Sequence, residues 1–497
     1  MSQSVALTLA QATLAIRQGR DTTVSLSLPL TAAQSGCALR LSEVSGLTVD
    51  GAGEGALLNA KTVIGRMFYK GSEAASILGK AVPLHTFEKV AGNWFSTGQS
   101  EECHDIAAGY WLADAFIRGV SPLEAAGLTQ FLAGKLPVIK SRSPASVRRY
   151  PTGGVSEKQA LILPPIMRAL AREFHWCSPF LVAGKLAHTG GTRDKLAVIP
   201  GFKLSSVAEL SNWNGVDYPV RYFSADADLC PRDARMYRLR GETGTVADMG
   251  LMASSIMSKQ IALPADVIIL DILHGPTAFL KKRSDAEDFA SVCEALGELS
   301  KLKIVSKVRE SKNILGRSVG SSTEVVEAAE ILRGDIYGGS ARAEIATSIG
   351  FLRCFAEELG LNSEVVCKRA EAVIANGEAF NAMLGLLSDH GVNSDYIKSF
   401  SSSPRNAVLG GLEKTTVFSS GSGTLMWDAM SVADIANYQI NSFADRKLPI
   451  GTISHGGIEL LAEDGVLVNK GDPLAIVYGE KTKVAARSLS AAASIIA

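Results

Sequence analysis

Hydrophobic and polar positions follow different spacings along the chain, and these spacings predict its organisation. Over residues 21–30 apolar and polar residues alternate with a period of two, which is typical of a strand with one buried face. Four glycines between positions 46 and 55 then supply turns. We therefore expect residues 1–95 to form a β-rich N-terminal extension.

Helical spacing begins near residue 100, where apolar residues recur at intervals of three and four and so share one helix face. Ser121-Pro-Leu-Glu124 has the form of a helix start. Its serine can cap the helix, its proline fits the first turn, and its glutamate stands at the capping-box position. This part of the chain is predicted to be helical.

Strand-like and helix-like segments alternate in the middle of the chain. Residues 265–273 and 302–308 are short runs rich in Val and Ile, and residues 284–301 between them are amphipathic. Strand, helix and strand in this order form a βαβ unit, and such apolar strands fit a sheet covered on both faces. The predicted fold class is therefore α/β.

The C-terminal part changes character again. Residues 399–406 are rich in serine and are predicted to be a linker. Residues 456–478 carry short apolar runs separated by glycine-containing turns, which predict three strands. We expect residues 401–497 to form a β-rich C-terminal domain.

Composition narrows the function classes. The 497 residues include 50 Lys plus Arg and 50 Asp plus Glu, so the formal net charge is zero. A chain whose main partner is a nucleic acid polymer or an anionic membrane carries clustered excess cation, so neither is expected as a partner. The seven cysteines are scattered without a CxxC pair, and the N-terminus lacks a basic targeting region, so we expect a reduced, cytoplasmic protein.

Two glycine-rich turns are candidates for anion binding. Thr152-Gly-Gly-Val-Ser156 directly precedes a helix-like segment, and His188-Thr-Gly-Gly-Thr192 follows a strand-like one. A glycine turn before a helix directs free backbone N–H groups and the positive end of the helix dipole at one point, which suits an oxyanion or phosphate. The alternative is that both are ordinary tight turns.

A cationic cluster follows. Four arginines lie within residues 232–240, and Ser255 and Lys259 are four apart on a predicted helix, so their side chains share one face. Arg240, Ser255 and Lys259 together would suit the carbonyl oxygens and ring N–H of a nucleobase, or a carboxylate. The alternative is a solvated basic face.

The sequence resembles the thymidine phosphorylase family, which includes pyrimidine-nucleoside phosphorylases and the longer archaeal-type AMP phosphorylases. Its most specific motif is Leu186-Ala-His-Thr-Gly-Gly-Thr-Arg-Asp-Lys-Leu-Ala-Val-Ile-Pro-Gly-Phe202. The supporting motifs, in the same order along the chain, are Thr152-Gly-Gly-Val155, Ser255-Ile-Met-Ser-Lys259, Gly275-Pro-Thr-Ala-Phe279, Leu315-Gly-Arg-Ser-Val-Gly320 and Lys470-Gly-Asp-Pro-Leu474. The match runs from about residue 100 to 480.

This resemblance implies a mixed-sheet α/β domain that faces a small helical domain across a cleft. The helical domain would comprise residues 96–145 and 231–263, and the α/β domain residues 146–230 and 264–400. Family members are commonly homodimers, so we expect a homodimer that acts on a small-molecule nucleoside or nucleotide. No cofactor is implied, and inorganic phosphate is a possible co-substrate.

The family roles carry over to individual residues. Arg240, Ser255 and Lys259 match the base-binding residues, with Arg240 and Lys259 expected to stabilise the departing base and Tyr150 to stand near it. Phosphate would be held by Arg149, Thr152, Gly153, Gly154 and Thr192.

The phosphate half-site departs from the family pattern. The family's Lys-His-Ser is Arg149-Tyr150-Pro151 here, and two phosphate-binding serines are replaced by Ala160 and Val182. Pro151 also removes a backbone N–H donor. The leading interpretation is cleavage of the N-glycosidic bond of a pyrimidine-type nucleoside. The alternatives are a nucleoside monophosphate phosphorylase, a phosphate-independent nucleosidase, an enzyme for a modified nucleoside and a non-catalytic nucleobase-binding protein.

Overall fold

The structure of the chain is a computed structural model. From residue 102 onward it describes residues 102–134, 144–184, 190–206, 209–210, 213–225, 229–263, 265–336, 338–440 and 455–496. Before that point it describes residues 9, 12, 15–17, 25–26, 30–45, 48–49, 56, 58–61, 84–92, 94 and 95.

The helices of the described residues are numbered in chain order. They are α1 Ala32–Ser45, α2 Leu84–Ala91, α3 Glu102–Arg118, α4 Pro122–Ala133, α5 Gln159–Phe174, α6 Thr192–Ala197, α7 Pro231–Thr243, α8 Met249–Ala262, α9 Arg283–Leu299, α10 Ser321–Arg333, α11 Gly339–Glu358, α12 Ser363–Ala375, α13 Glu378–Asp389, α14 Ser394–Ser402, α15 Pro404–Leu409, α16 Ala429–Tyr438 and α17 Thr482–Ala491. None of these helices is both long enough and apolar enough to cross a membrane.

The strands are numbered in the same way. They are β1 Ser25–Leu26, β2 Thr48–Val49, β3 Ala145–Pro151, β4 Trp176–Val182, β5 Val220–Ser224, β6 Val267–His274, β7 Ile304–Glu310, β8 Ser318–Val319, β9 Glu413–Phe418, β10 Gly423–Trp427, β11 Gly457–Leu460, β12 Leu467–Val468, β13 Pro473–Gly479 and β14 Ala493–Ile496.

The chain divides into two compact units. The first, called the helical unit, comprises Met1–Val138, Ala225–Pro264 and Ser291–Lys301. The second, called the α/β unit, comprises Ile139–Ser224, Ala265–Ala290 and Leu302–Ala497. Helices α7 and α8 therefore belong to the same unit as α3 and α4, although strands β3–β5 lie between them in sequence.

A five-stranded parallel sheet, in the order β5-β4-β3-β6-β7, organises the α/β unit. Every residue of β6 is buried, as expected for a strand covered on both faces. Helices α5 and α10–α13 contribute to the apolar core of this unit. The predicted βαβ unit is confirmed, since β6, α9 and β7 follow one another and the two strands are parallel.

Two antiparallel sheets follow in the C-terminal part of the α/β unit, in the orders β8-β11-β13-β9 and β12-β10-β14. The three strands predicted within residues 456–478 are confirmed as β11, β12 and β13. The predicted linker at residues 399–406 is wrong. Phe400 is fully buried in α14, and the Ser403 hydroxyl caps α15 by accepting a hydrogen bond from the Asn406 N–H, so this serine-rich stretch starts a helix.

The described part of residues 1–95 corrects the prediction of a β-rich extension. Beyond the short parallel pair β1–β2, it is mainly helical and belongs to the helical unit. Helix α1 lies directly on α3, because a Cβ at Gly36 would stand 1.9 Å from the Ile106 carbonyl oxygen and one at Gly109 would stand 1.9 Å from the Ala33 carbonyl oxygen. The structure around α1 therefore depends on its packing against α3. A search for the period of two that marks strands does not detect such packing.

The predicted start of α4 is confirmed. The Ser121 hydroxyl accepts a hydrogen bond from the Glu124 N–H at 3.3 Å, and Pro122 is the first helical residue. Aromatic rings from neighbouring helices fill the centre of the helical unit, where Phe87 lies 5.0 Å from Trp111 and 5.2 Å from Phe131 between ring centroids. Such edge and tilted contacts favour a packed core.

The close approach of α1 and α3 predicts that Gly36→Ala destabilises the protein by about 1–3 kcal/mol, because the added methyl group meets backbone rather than a movable side chain. Gly350→Ala on α11 is the matched control. Nothing lies within 4 Å of its added Cβ, so it should stabilise by about 0.5–1 kcal/mol. Urea unfolding measures both, and equal stability of Gly36→Ala and wild type would contradict the packing.

Acid should weaken the α/β unit through His390. Its Nε2 accepts a hydrogen bond from the Tyr222 N–H, so its Nδ1 carries the proton and donates to the Lys203 carbonyl at 2.7 Å. Burial lowers the pKa of His390 from 6.5 to about 4. If Nε2 of His390 were protonated as well, its N–H would point at the Tyr222 N–H, and the hydrogen bond between them would be lost.

The unfolded chain therefore takes up a proton near pH 6.5, whereas the folded chain does so only near pH 4. The free energy of unfolding should fall across this interval by on the order of 3 kcal/mol. His390→Gln should be less stable at pH 7 but should lose less stability on acidification. Urea titrations at several pH values measure this, and parallel pH curves for the two proteins would refute it.

Candidate functional site

Ser255 and Lys259 come together on α8, as their spacing of four predicts. The Lys259 ammonium donates hydrogen bonds to the Ser255 carbonyl oxygen at 2.8 Å and to its hydroxyl at 3.2 Å. The same ammonium contacts Asp233 Oδ2 at 2.5 Å, and Asp233 lies in the first turn of α7. All three residues are buried, with exposures of 3%, 6% and 1% in the order Ser255, Lys259 and Asp233.

Arg240 lies on α7, and backbone oxygens hold its guanidinium. Its Nε and Nη1 donate to the carbonyls of Thr245 and Leu251, and its Nη2 donates to that of Val246. Burial lowers the pKa of Arg240, while the negative charges of Asp233 and Asp248 act in the opposite direction. Arg240 therefore shapes the turn between α7 and α8 and brings a buried positive charge into the electrostatic field of Asp233.

The other three arginines of the cluster are paired. Arg232 donates to the Phe131 carbonyl and to Glu88, Arg235 contacts Asp105 at 2.7 Å, and Arg238 contacts Glu242 at 2.7 Å. The exposed Arg238 fits the alternative of a solvated basic face, whereas Arg232 and Arg235 are partly buried in their ion pairs. Arg240 differs from them because it is only 2% exposed.

Residues of the N-terminal extension hold the turn between α7 and α8. The Gln34 amide donates to the Glu242 carbonyl at 3.0 Å, and the Cys37 thiol lies 3.7 Å from the Thr243 carbonyl. Arg17 pairs at 2.8 Å with Asp248, whose carboxylate caps α8 through the Leu251 N–H. The extension therefore supports the helices that carry Arg240, Ser255 and Lys259.

In the α/β unit the first glycine turn is joined to β6 and the loop that follows it. The Thr152 N–H donates to the Asp271 carbonyl at 2.9 Å, and the Val155 N–H donates to the Thr277 carbonyl at 3.0 Å. Gly153 has a φ of 92°, a conformation that favours glycine. Two N–H groups of this turn, at Thr152 and Val155, are therefore used within the fold.

Arg149, predicted to bind phosphate, is 1% exposed. Its Nε lies 3.1 Å from Asp271 Oδ2, and its Nη2 lies 2.8 Å from Glu157 Oε1. Arg309 also binds Asp271, through Nε at 2.7 Å and Nη2 at 2.7 Å. Burial alone would raise the pKa of Asp271, but Arg149 and Arg309 hold it below its usual range.

Glu157 places a buried carboxylate at the start of α5. Its Oε1 accepts a hydrogen bond from the Gln159 N–H, the first of α5, at 2.8 Å and also contacts Arg149. A carboxylate near a helix N-terminus is stabilised by the helix dipole, and Arg149 adds a second favourable contact to Glu157. Ala160 and Val182, which replace the family's serines, are 6% and 2% exposed.

Two lysines extend this buried network. Lys158 Nζ lies 3.2 Å from Glu327 Oε2 and 2.9 Å from the Ser156 hydroxyl. Lys195 Nζ lies 2.6 Å from Glu324 Oε2. Burial of a charge is tolerated when the charge is paired and hydrogen-bonded, and each of these lysines is paired with a carboxylate of the same unit.

The remaining predicted phosphate and base residues also lie in the α/β unit. Tyr150 is near the end of β3 and is 9% exposed. Thr192 is the half-buried first residue of α6, and Gly191 precedes it as the N-cap. His188 and Thr189 of the second glycine motif lie outside the described residues.

Three acidic residues with a central place in these networks were missed by the sequence analysis: Asp233, Glu157 and Asp271. Asp271 had a signal, because it is an acid inside the otherwise apolar run of β6, and a buried charge requires a partner. Asp233 stands among four arginines, but spacing alone does not show which cation it binds.

Known proteins resemble the chain over most of its length. It is 32% identical over 336 residues to the thymidine phosphorylase of Mycobacterium tuberculosis, covering 67% of this chain and 73% of that protein. It is 27% identical over 376 residues to the pyrimidine-nucleoside phosphorylase of Bacillus subtilis, covering 74% and 83%. No protein-family model matches it.

Among solved structures, anthranilate phosphoribosyltransferase from Thermus thermophilus aligns with a TM-score of 0.46 and 16% identity, over 64% of this chain and 98% of that one. The relatives named above are nucleoside phosphorylases, which are pentosyltransferases, and the chain therefore belongs to this class of enzyme. It belongs to the thymidine and pyrimidine-nucleoside phosphorylase family.

Because Arg149 and Arg309 share the Asp271 carboxylate, we expect its removal to destabilise the protein strongly. Asp271→Asn leaves Arg149 and Arg309 without their common counter-charge, and loss of one partner from a buried pair costs about 3–5 kcal/mol. Asp335→Asn removes the acid of a half-exposed pair with Arg333 and should cost less than about 1 kcal/mol. Equal denaturant midpoints for the two variants would show that Asp271 is not a central support.

Proposed function

We propose that the protein cleaves the N-glycosidic bond of a pyrimidine-type nucleoside and transfers the pentosyl group to an acceptor. Membership of the family supports the reaction class. The observation that carries the proposal is the buried pair of Ser255 and Lys259, which matches the family's base-binding serine and lysine and directs an ammonium and a hydroxyl to one place.

The chemistry of the leaving group explains why a cation belongs there. As the bond between the sugar and the base breaks, its electron pair passes to the base, and negative charge develops on the ring and its carbonyl oxygens. A preorganised buried ammonium stabilises such developing charge more than water does. In this proposal Lys259 and Ser255 contact the base, and Arg240 contributes positive charge.

Phosphate is the first candidate acceptor. Thr152, Thr192 and the backbone of Gly153 and Gly154 would hold it, because hydroxyl and backbone N–H groups are suited to oxyanions. Arg149 would contribute positive charge, although its nitrogens already contact Glu157 and Asp271.

Water is the second candidate acceptor, and the pairing of Arg149 favours it. A phosphate dianion gains little from a guanidinium whose charge two carboxylates already offset, and Ala160 and Val182 offer it no hydrogen bond. In that reaction the water oxygen bonds to the anomeric carbon, the base takes the electron pair of the broken bond, and one water proton goes to the base. The protein would then be a nucleosidase.

One assay tests the proposal. Uridine, thymidine and their monophosphates are incubated with and without phosphate, and free base is quantified by chromatography. Base release that requires phosphate and yields a pentose 1-phosphate supports phosphorolysis, whereas equal release in phosphate-free buffer supports hydrolysis. Absence of base release from every substrate in both buffers would overturn the proposal.

Substitution tests the assigned cation. Lys259→Met should lower kcat/KM by about 100-fold to 1,000-fold, the usual cost of removing one donor to a developing anion. Arg238→Met is the matched control, since Arg238 lies on α7 and contacts only Glu242 among its ion-pair partners in the described residues. Similar kcat/KM values for the two variants would remove Lys259 from the proposed mechanism.

A further inference from the structure

We infer that Asp233 is a positioning residue that holds the Lys259 ammonium in place for the departing base. This inference rests on the proposed function, because it assigns a role in the same base site. Asp233 belongs to none of the motifs from which the base site was assigned, and it lies 26 residues before Lys259 in sequence.

The geometry fixes the ammonium from two helices. Asp233 of α7 binds Nζ at 2.5 Å, while the Ser255 carbonyl and hydroxyl of α8 bind it at 2.8 Å and 3.2 Å. The ring of Tyr237, one turn after Asp233 on α7, lies 5.8 Å from Nζ. A lysine side chain is flexible and presents three donors. Asp233 and the Ser255 carbonyl hold two of them, and the longest contact, to the Ser255 hydroxyl, is the one that the base would replace.

The fixed position of the Lys259 ammonium affects the rate, because stabilisation of a developing charge depends on where the donor lies before the reaction. A donor that is already in place costs no reorganisation when the charge appears. Displacement of a reacting group by about 1 Å can lower a rate about 100-fold. Asp233 therefore contributes to catalysis through the position of Lys259, without contacting the base in this proposal.

The charge balance of the cluster agrees with this role. Asp233 is the acid that contacts Lys259 and also acts electrostatically on Arg240. The nearby Asp248 is paired with Arg17. Within the described residues, Asp233 thus acts on two buried cations, an arrangement that favours an anionic leaving group.

Asp233 binds Lys259 through one carboxylate oxygen, Oδ2. Asp233 Oδ1 is buried and has no hydrogen-bond partner among the described residues. By contrast, both oxygens of Asp271 are bonded to arginines. An unpartnered buried acceptor costs free energy, but Glu324 and Glu327 of the α/β unit each have a buried oxygen without a hydrogen bond as well. The assignment of Asp233 therefore rests on its contact with Lys259.

The test is a double-mutant cycle on base release. Asp233→Asn should lower kcat about 10-fold to 100-fold while changing KM much less, because the loss appears in the transition state. In a Lys259→Met background, Asp233→Asn should have less than about a 2-fold further effect, since the two residues act as one unit. Asp233→Glu keeps the charge, shifts its position, and should restore part of kcat.

Asp114→Asn is the matched control. Asp114 is a 3% exposed carboxylate of the helical unit paired with Arg40 and Arg118, and its loss should reduce stability without a specific loss of kcat in the folded fraction. Circular dichroism measures the folded fraction of each variant. If Asp233→Asn does not fold, the cycle is run with Asp233→Glu, which must then show a loss of kcat that disappears in the Lys259→Met background.

Two outcomes overturn the inference separately from the proposed function. Wild-type base release with independent, multiplicative effects of the Asp233 and Lys259 variants refutes the positioning role alone. The same follows if Asp114→Asn lowers kcat as much as Asp233→Asn does. A wild-type protein that neither releases nor binds a free base, the latter measured by calorimetry with uracil and thymine, refutes both.

Discussion

Asp271 brings a carboxylate into the interior of the parallel sheet, and the surrounding structure is arranged to keep that charge paired. Two arginines, Arg149 on β3 and Arg309 on β7, reach it from the strands on either side of β6. Its backbone carbonyl also anchors the glycine turn through the Thr152 N–H. A buried charge without partners would cost several kcal/mol, so the positions of three strands and one turn depend on this interaction.

The two units differ in how their buried cations are paired with carboxylates. In the α/β unit, the cations Arg149, Lys158 and Lys195 each bind carboxylates of the same unit, which leaves little net attraction for an added anion. In the described part of the helical unit, Asp233 contacts Lys259 and also acts electrostatically on Arg240, so two buried cations share this carboxylate. This contrast supports the proposal that the departing base binds at α7 and α8, and it is the reason to test water beside phosphate as the acceptor.

Much of the fold followed from local patterns. The βαβ unit, the Ser121 cap and the strands of residues 456–478 each have a periodicity or a capping signal that acts over a few residues. The predictions were wrong for segments whose structure depends on contacts with residues far away in the sequence. Helix α1 packs closely on α3 because Gly36 and Gly109 have no side chain at the contact. The serine-rich stretch is helical, with Phe400 buried and Ser403 as a helix cap.

For the candidate site, the sequence by itself determined that Ser255 and Lys259 share a helix face, because a spacing of four places side chains together in any α-helix. It also determined the loss of hydroxyl groups at Pro151, Ala160 and Val182. Only the tertiary structure decided that Lys259 binds Asp233, 26 residues away, and that Arg149 binds Asp271, 122 residues away. The partner of a charged side chain is a group that the packing of helices and strands places near it. Such pairs have no fixed spacing in the sequence, so no sequence pattern predicts them.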